Sequence, residues 1–329
     1  MSNPSQSLLS RRLVLGGGAA LGLAASLPVR PAGATAPLAQ AQAPGFYRVA
    51  VGRIEVTALL DGHLELPPAL FDLPEPVAAE LLKSAFRPAG PIVTSVNAFA
   101  VNTGDRLYLV DTGTVQGYAP TLAHLPEALA AAGLAPEAVD TILLTHLHPD
   151  HAGGLVRDGK LAFPNAELVV AESEAGFWLD AATASRAPTE VQPMFKLAQG
   201  NIVAYGERVR RLPAAGGPVV PGIEAIALPG HTPGHTGFLI SDGDAALWIW
   251  GDIVHAAALQ FPRPEATLSF DVDRPLAAAT RKRAFDRAAA DRLAVAGAHL
   301  PFPGIGHVTR TADGQGFGFV PAPWQPISG

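Results

Sequence analysis

The chain has 329 residues, of which 48% are hydrophobic, and a formal net charge of −6 at pH 7. A chain of this length can bury a large core, and its acidic balance provides no broad basic surface for nucleic-acid phosphates. The sequence contains no cysteine, which excludes disulfides, thiolate nucleophiles and cysteine-ligated metals. We therefore expect no nucleic-acid partner, and any metal site must use nitrogen and oxygen ligands.

Residues 1–45 have the layout of an export signal followed by a linker. Arg11 and Arg12 precede an apolar run at residues 13–27, and small residues at 32–34 offer a cleavage site. The run is shorter than the roughly 20 residues of a permanent membrane span, and paired arginines are typical of the twin-arginine export route. We expect cleavage, export to the periplasm or beyond and no permanent membrane span; an uncleaved anchor and an ordinary Sec signal remain alternatives.

The rest of the chain alternates between strand and helix patterns. Strands are predicted at residues 47–60 with a turn at Asp61-Gly62, then at 93–101, 106–110, 141–144, 168–171, 223–228, 236–240, 245–250 and 293–298. Helices are predicted at residues 122–132, near 173–182 and at 281–291. Mixed strands and helices with several hairpins predict an α/β (α+β) fold of stacked layers rather than one parallel sheet.

One loop concentrates side chains that bind metals. The run LLTHLHPDHAGG, residues 143–154, contains His146, His148, Asp150 and His151 directly after a predicted strand. Nitrogen and oxygen donors grouped in this way suit a borderline divalent ion such as zinc. This loop therefore predicts a metal site, which needs further ligands from elsewhere in the chain.

Three later segments offer such ligands at the ends of predicted strands. The run LPGHTPGHT contains His231 and His235, Asp252 follows an apolar strand, and His299 follows another. A lone buried aspartate is costly without a partner, which favours a metal or a histidine beside Asp252. By contrast, the single histidines are interpreted as ordinary hydrogen-bonding residues of the core or surface: His63, His124 and His255.

Together these motifs resemble the metallo-β-lactamase superfamily of dinuclear metallohydrolases, over residues 49–320. The resemblance implies one hydrolase domain at 46–329, folded as a four-layer αββα sandwich with a metal pair, expected to be zinc, between the sheets. The implied ligands of the first ion are His146, His148 and His235. Those of the second are Asp150, His151 and His299, and Asp252 bridges both ions.

Other roles follow from the same resemblance. Asp252 and Asp150 are the expected catalytic carboxylates. Asp111, in an Asp-Thr-Gly turn, is expected to orient a ligand by hydrogen bonding, with turn capping as the alternative. His231 is expected to support the ligands from outside the metal site.

Two segments, WGDIVHAAALQFPRPEATLSFDVD and AHLPFPGIGHV, are similar to the methyl parathion hydrolase branch, whose members hydrolyse organophosphate triesters and whose relatives include lactonases. That branch lines its leaving-group pocket with aromatic residues, which implies a pocket role for Trp178 and Phe195; ordinary core packing is the alternative. The absence of a cysteine ligand and the presence of Asp252 disfavour hydrolysis of β-lactam antibiotics.

The expected activity is hydrolysis of a small neutral ester, lactone or phosphotriester by a metal-bound hydroxide. An iron-bearing oxidoreductase of the same superfamily and an exported metal-binding protein without catalysis are the alternatives. The complete ligand set favours hydrolysis over both. A homodimer through the apolar residues 256–261 also remains open.

Overall fold

The computed structural model describes residues 38, 39 and 42–326. The predicted export signal and its cleavage site lie outside these residues. A compact unit begins at Gln42, and its first strand begins at Phe46. Among the described residues, no helix combines the length and the hydropathy that a membrane span requires.

The strands of this unit are β1 Phe46–Val51, β2 Ile54–Leu66, β3 Ile92–Asn102, β4 Leu107–Val110, β5 Thr141–Leu143, β6 Val156–Arg157, β7 Lys160–Leu161, β8 Glu167–Ala171, β9 Val209–Leu212, β10 Gly216–Val220, β11 Ile223–Ala227, β12 Thr236–Asp242, β13 Ala245–Ile249, β14 Ala294–Ala296, β15 Ile305–Arg310 and β16 Phe317–Pro321. The α-helices are α1 Glu75–Ser84, α2 Leu125–Ala131, α3 Pro149–Ala152, α4 Glu172–Leu179, α5 Ala181–Arg186, α6 Gln192–Tyr205, α7 Ala257–Gln260 and α8 Arg274–Ala290.

Within the described part of the chain, these strands form two seven-stranded sheets and one small hairpin. The first sheet has the order β1-β2-β3-β4-β5-β8-β9, and the second runs from β10 to β16 in chain order. Neighbours from β4 to β9 pair in parallel, as do β13 and β14. The other neighbours in these sheets are antiparallel, so both sheets are mixed.

Alternation along the strands divides the apolar side chains between two faces of each sheet. Val56 and Phe99 of the first sheet meet Phe238 and Ile249 of the second in a shared core. The opposite face of the first sheet packs on α2, α4 and α6, and that of the second packs on α8 through Phe285. The predicted four-layer αββα sandwich is therefore confirmed.

The predicted hairpin turn at Asp61-Gly62 is wrong. The chain turns between β1 and β2 at Gly52, whereas Asp61 and Gly62 lie inside β2, next to a register shift. The buried Asp61 carboxylate accepts hydrogen bonds from the backbone N–H groups of Thr114, Ala123 and Leu125, at 3.0, 3.1 and 2.9 Å. An Asp-Gly pair that usually marks a turn here fixes two neighbouring loops.

The segment considered for a dimer interface is internal. Ala256, Leu259 and Phe261 are at most 2% exposed within the single chain. Leu259 packs with α1 in one buried cluster, and Phe261 packs with α8 in another. Ala257 and Ala258 are only partly buried, so the segment offers little apolar surface, and the homodimer stays a prediction.

Candidate metal centre

Four connections bring nitrogen and oxygen donors together. The connection after β5 carries His146 and His148 and continues into α3, while the β11–β12 connection carries His231. Asp252 and His299 follow β13 and β14. Because each donor comes from a segment anchored by a strand, the sheets fix the separation of the donors before any ligand binds.

Three histidines form the first group. His148 Nδ1 lies 3.0 Å from His146 Nε2 and 3.0 Å from His231 Nε2, and all three side chains are buried. One ligand atom from each, together with an oxygen of Asp252, fits within a 4.8 Å span. Three imidazole nitrogens that converge in this way match the donor set of a zinc site.

The second group consists of Asp150, His151 and His299. Asp150 Oδ2 lies 3.6 Å from His151 Nε2 and 3.4 Å from His299 Nε2. Asp252 lies between the two groups: its Oδ1 is 3.2 Å from His151 Nε2, and its Oδ2 is 3.2 Å from His231 Nε2 and 3.1 Å from His299 Nε2. One carboxylate thus faces both groups.

The other ring nitrogens are engaged by acceptors, which orients the donors toward the site. His231 Nδ1 donates to Asp271 at 2.8 Å, His151 Nδ1 donates to Asp111 at 2.8 Å, and His299 Nδ1 donates to the Ser95 carbonyl at 2.9 Å. In its neutral form, each of these imidazoles then carries its lone pair on Nε2.

Two buried polar atoms of the centre test whether a metal ion fits these residues. His151 Nε2 and Asp252 Oδ1 are buried and have no hydrogen-bond partner within the part of the chain that is described. An unpaired polar atom in the interior is costly. A divalent cation between these donors would satisfy both atoms, so the residues fit a metal.

The buried charges of the centre differ from one donor to the next. Burial lowers the pKa of His146 and His148 well below the usual imidazole range, which favours the neutral form that coordinates metals. Burial opposes protonation of His231, but its hydrogen bonds with Asp252 and Asp271 outweigh burial and raise its pKa to about 9. Burial would raise the pKa of Asp252, but the surrounding imidazoles hold it well below its usual range. Asp252 is therefore ionised at neutral pH.

In the GHTPGHT loop, His231 and His235 occupy each other's expected positions relative to the donor cluster. His235 was the expected ligand, but its Nδ1 donates to the Leu228 carbonyl and its Nε2 accepts from the backbone N–H of Asp252, both at 2.9 Å. Burial lowers its pKa to about 3, so that Nε2 is free to accept this bond. His235 thus supports the backbone of Asp252, and the metal-facing position belongs to His231.

Asp111 is placed to orient a donor of the second group. Its Oδ2 accepts from His151 Nδ1 and from the Thr145 hydroxyl, both at 2.8 Å, and its Oδ1 accepts from the Thr145 backbone N–H at 2.8 Å. Thr145 immediately precedes His146. One carboxylate therefore fixes the beginning of the histidine-rich loop and one of its later rings.

A pocket of about 680 Å³ opens onto the centre. Trp178 lines it and meets the His148 ring edge to face, at 5.4 Å between ring centroids. The pocket role expected for Phe195 is not seen, because Phe195 packs behind Trp178, at 4.6 Å between centroids, and is 2% exposed. Met194, its neighbour on α6, lines the pocket instead, because successive helical residues point in different directions.

Sequence reasoning missed three residues near the centre. His255 was interpreted as an ordinary histidine, yet its Nε2 lies 3.0 Å from Asp252 Oδ2 and its ring stacks on His299 at 4.9 Å. Its position three residues after Asp252 was the available signal. Asp271 lies near the end of the WGDIVHAAALQFPRPEATLSFDVD segment, but no role was predicted for it, and Glu174 lies in no recognisable motif; only the folded chain brings both to the donor loops.

Comparison with known proteins places the fold and site in a family. Residues 91–299 match the model of the metallo-beta-lactamase superfamily. The structure of AbOPH, a hydrolase of the beta lactamase superfamily, is 38% identical, with a TM-score of 0.82 over 87% of this chain and 100% of that one. The chain belongs to the metallo-beta-lactamase superfamily.

Two further relatives carry activities in their names. AidC, a dizinc quorum-quenching lactonase, is 28% identical, with a TM-score of 0.79 over 86% of this chain and 99% of that one. An acyl-coenzyme A thioesterase of Bos taurus is 26% identical over 187 residues, 50% of this chain. The chain spans 60% of the length of that thioesterase and 58% of the length of another curated relative. The chain thus combines the fold of this superfamily with a His/Asp cluster that could hold a metal.

Proposed function

We propose that this protein is a dinuclear metal-dependent hydrolase of small neutral esters, with a lactone as the leading substrate class and carboxylic esters or phosphotriesters as related ones. The observation that carries the proposal is the position of Asp252, whose two carboxylate oxygens face two separate groups of donors. A single ion would use only one of these groups. The likeness to AidC, itself a dizinc lactonase, supports the substrate class.

We assign the two ions to the donors as the geometry groups them. The first group is His146, His148 and His231, and the second is Asp150, His151 and His299, with Asp252 shared. A pair of divalent ions held by these residues would lower the pKa of water at the site toward about 7 and would polarise the oxygen of the substrate.

The protein side chains supply the proton acceptor and the orientation. Asp150 and Asp252 both line the pocket, but the side chain of Asp150 is 19% exposed and that of Asp252 only 2%. Asp150 is therefore the more accessible acceptor for the proton of the attacking water, whereas Asp252 holds the two groups at a fixed separation. His255 lies beside Asp252 and adds a ring to the pocket wall.

The pocket favours a neutral, largely apolar substrate. Its wall includes Leu64, Leu66, Phe177, Trp178 and Val191, and no lysine or arginine occurs among the described residues that line it. A phosphate dianion or a carboxylate would find no lysine or arginine side chain there. Neutral carbonyl or phosphoryl esters with apolar groups match this wall.

The test measures metal content and turnover together. Mature protein should contain about two ions per chain by elemental analysis and should hydrolyse an acyl-homoserine lactone, an aryl ester or a phosphotriester, but not a β-lactam. Asp252→Asn, which keeps the shape and removes the shared charge, should lose metal and turnover together. One ion per chain would contradict the dinuclear site. Two ions without turnover on any substrate would favour a metal-binding protein without catalysis, and iron with redox activity would favour an oxidoreductase.

A further inference from the structure

Glu174 is a buried carboxylate that belongs to neither metal group. It lies in α4 and is 0% exposed. Its Oε1 accepts from the Leu147 backbone N–H at 2.9 Å and from the Trp178 indole N–H at 2.7 Å. Its Oε2 accepts from the Thr232 hydroxyl at 2.7 Å and from the Gly234 backbone N–H at 2.9 Å. Both oxygens are therefore fully used by donors.

Three of these donors come from the two loops that carry the first group of histidines, and the fourth, Trp178, lies on α4 itself. Leu147 lies between His146 and His148, and Thr232 directly follows His231. The two loops are far apart in sequence, and they follow strands of different sheets, β5 in the first sheet and β11 in the second. Glu174 is thus a direct polar link between the segments that must bring three imidazole nitrogens to one point.

The contact between the second loop and α4 is also close in space. A Cβ at Gly234 would lie 2.2 Å from the Glu174 backbone nitrogen and 2.5 Å from its Cβ. The loop can approach the helix so closely only with glycine at this position. Thr232 and Gly234 of the GHTPGHT motif are therefore explained by their contact with Glu174.

The chemistry of the four donors requires an ionised carboxylate rather than an amide. In either orientation, a glutamine amide would place its NH₂ group against two hydrogen-bond donors. At least one of these donors is a backbone N–H or the indole N–H, which cannot act as an acceptor. Burial raises the pKa of Glu174, and its four hydrogen bonds oppose that shift by stabilising the ionised form. Buried charges are retained when every lone pair is satisfied in this way.

We propose that Glu174 is a positioning residue that fixes the distance between the His146–His148 loop and the His231 loop, and so sets the geometry of the first metal group. The same carboxylate orients Trp178 on the pocket wall. This inference rests on the proposed function, because it concerns the assembly of that metal centre. None of the four donors belongs to Asp150, His151 or His299, so the second group should depend on Glu174 much less.

The experiment compares Glu174→Gln and Thr232→Val with the wild type. Thr236→Val is the matched control, because Thr236 lies in the same segment, is buried like Thr232 and donates to the Gly234 carbonyl rather than to Glu174. Metal content is followed during a timed challenge with a chelator. Glu174→Gln and Thr232→Val should release one of the two ions about 10–100-fold faster than the wild type, and Thr236→Val should not.

A spectroscopic measurement separates this role from general destabilisation. The visible absorption bands of the cobalt-substituted protein report the geometry of the ligands, and they should shift in Glu174→Gln but not in Thr236→Val. Trp178→Phe removes only the indole donor, so it should leave metal release unchanged while raising KM for bulky substrates. If Glu174→Gln fails to fold, Thr232→Val decides the question.

The outcomes distinguish this inference from the proposed function. Unchanged release rates and cobalt bands in both variants would overturn the role of Glu174 while leaving a two-metal wild type in place. A wild type that binds a single ion would overturn the dinuclear function, and the release rate of that ion would still test Glu174.

Discussion

His235 Nε2 accepts a hydrogen bond from the backbone N–H of Asp252 at 2.9 Å, while His231 Nε2 faces the carboxylate of the same aspartate at 3.2 Å. His235 thus binds the backbone of Asp252, and His231 lies against its carboxylate. The lone pair of His235 Nε2 is committed to the protein. Of these two histidines, it is His231 whose ring nitrogen faces the metal centre.

The first prediction separates these two roles. His231→Ala should lose about one ion per chain and lower kcat/KM more than about 100-fold, because it removes a donor that we assign to the metal. His235→Ala should keep most of its metal but lower the Tm, because it leaves the buried N–H of Asp252 unpaired. Elemental analysis and thermal unfolding of both variants check this. The reverse pattern, with metal lost only from His235→Ala, would restore the ligand assignment expected from the sequence.

The family, the layers and most donors could be predicted because their signals are local. His146, His148, Asp150 and His151 lie within six positions of one loop, and the apolar strands that precede Asp252 and His299 are short and distinct. The choice between His231 and His235 could not be made in this way. It depends on which ring faces the Asp252 carboxylate and which faces its backbone, and that is a property of the folded loop.

Apart from Asp111, the residues that act through long-range hydrogen bonds gave little signal in the sequence. The Asp61-Gly62 pair predicts a turn, yet Asp61 lies inside β2 and accepts hydrogen bonds from the backbone N–H groups of Thr114 and Leu125, 53 and 64 residues further along the chain. Glu174 looks like any helical glutamate in the sequence. Phe195 and Met194 are adjacent, and only the rotation of α6 decides which of them reaches the pocket.

The second prediction concerns the acceptor behind His231. Asp271 Oδ1 accepts from His231 Nδ1 at 2.8 Å, and its Oδ2 accepts from the Leu268 backbone N–H at 2.8 Å. Asp271→Asn should weaken metal binding about 10–100-fold, because it removes the charge that orients this imidazole and increases its basicity. Asp273→Asn is the control, because an asparagine can still cap α8 through the Leu276 N–H. Metal titration should separate the two variants, and equal affinities would exclude a role for Asp271 in binding.

The third prediction tests the pocket wall. Met194→Ala should raise KM for apolar substrates with little effect on metal content or Tm, because Met194 lines the pocket. Phe195→Ala should instead lower the free energy of unfolding by about 3–5 kcal/mol, because it empties a buried site behind Trp178. Steady-state kinetics and denaturant unfolding check both variants. A large KM effect from Phe195→Ala with unchanged stability would place Phe195 on the pocket instead.

The fourth prediction concerns a surface link between the sheets. Asp242, at the end of β12, accepts from the backbone N–H of Arg53 at 2.7 Å and from the Arg53 guanidinium at 2.8 and 3.0 Å. These hydrogen bonds lower the pKa of Asp242 from 3.8 to about 2. A carboxyl with a lowered pKa in the folded state stabilises the fold above its unfolded pKa, and the contribution is lost as the pH falls through the folded value.

Asp242→Asn should therefore lower the midpoint of denaturant unfolding near neutral pH, and its difference from the wild type should shrink as the pH falls from about 4 toward 2. The effect should be small and should weaken with added salt, because the pair is exposed to solvent. Metal-free protein is used for these measurements, so that titration of the metal ligands is common to both proteins. Asp244→Asn, an exposed change on the same turn, is the control and should show no such pH dependence. A difference between Asp242→Asn and the wild type that stays constant down to the lowest pH would show that the Arg53 link contributes through its shape rather than through the charge of Asp242.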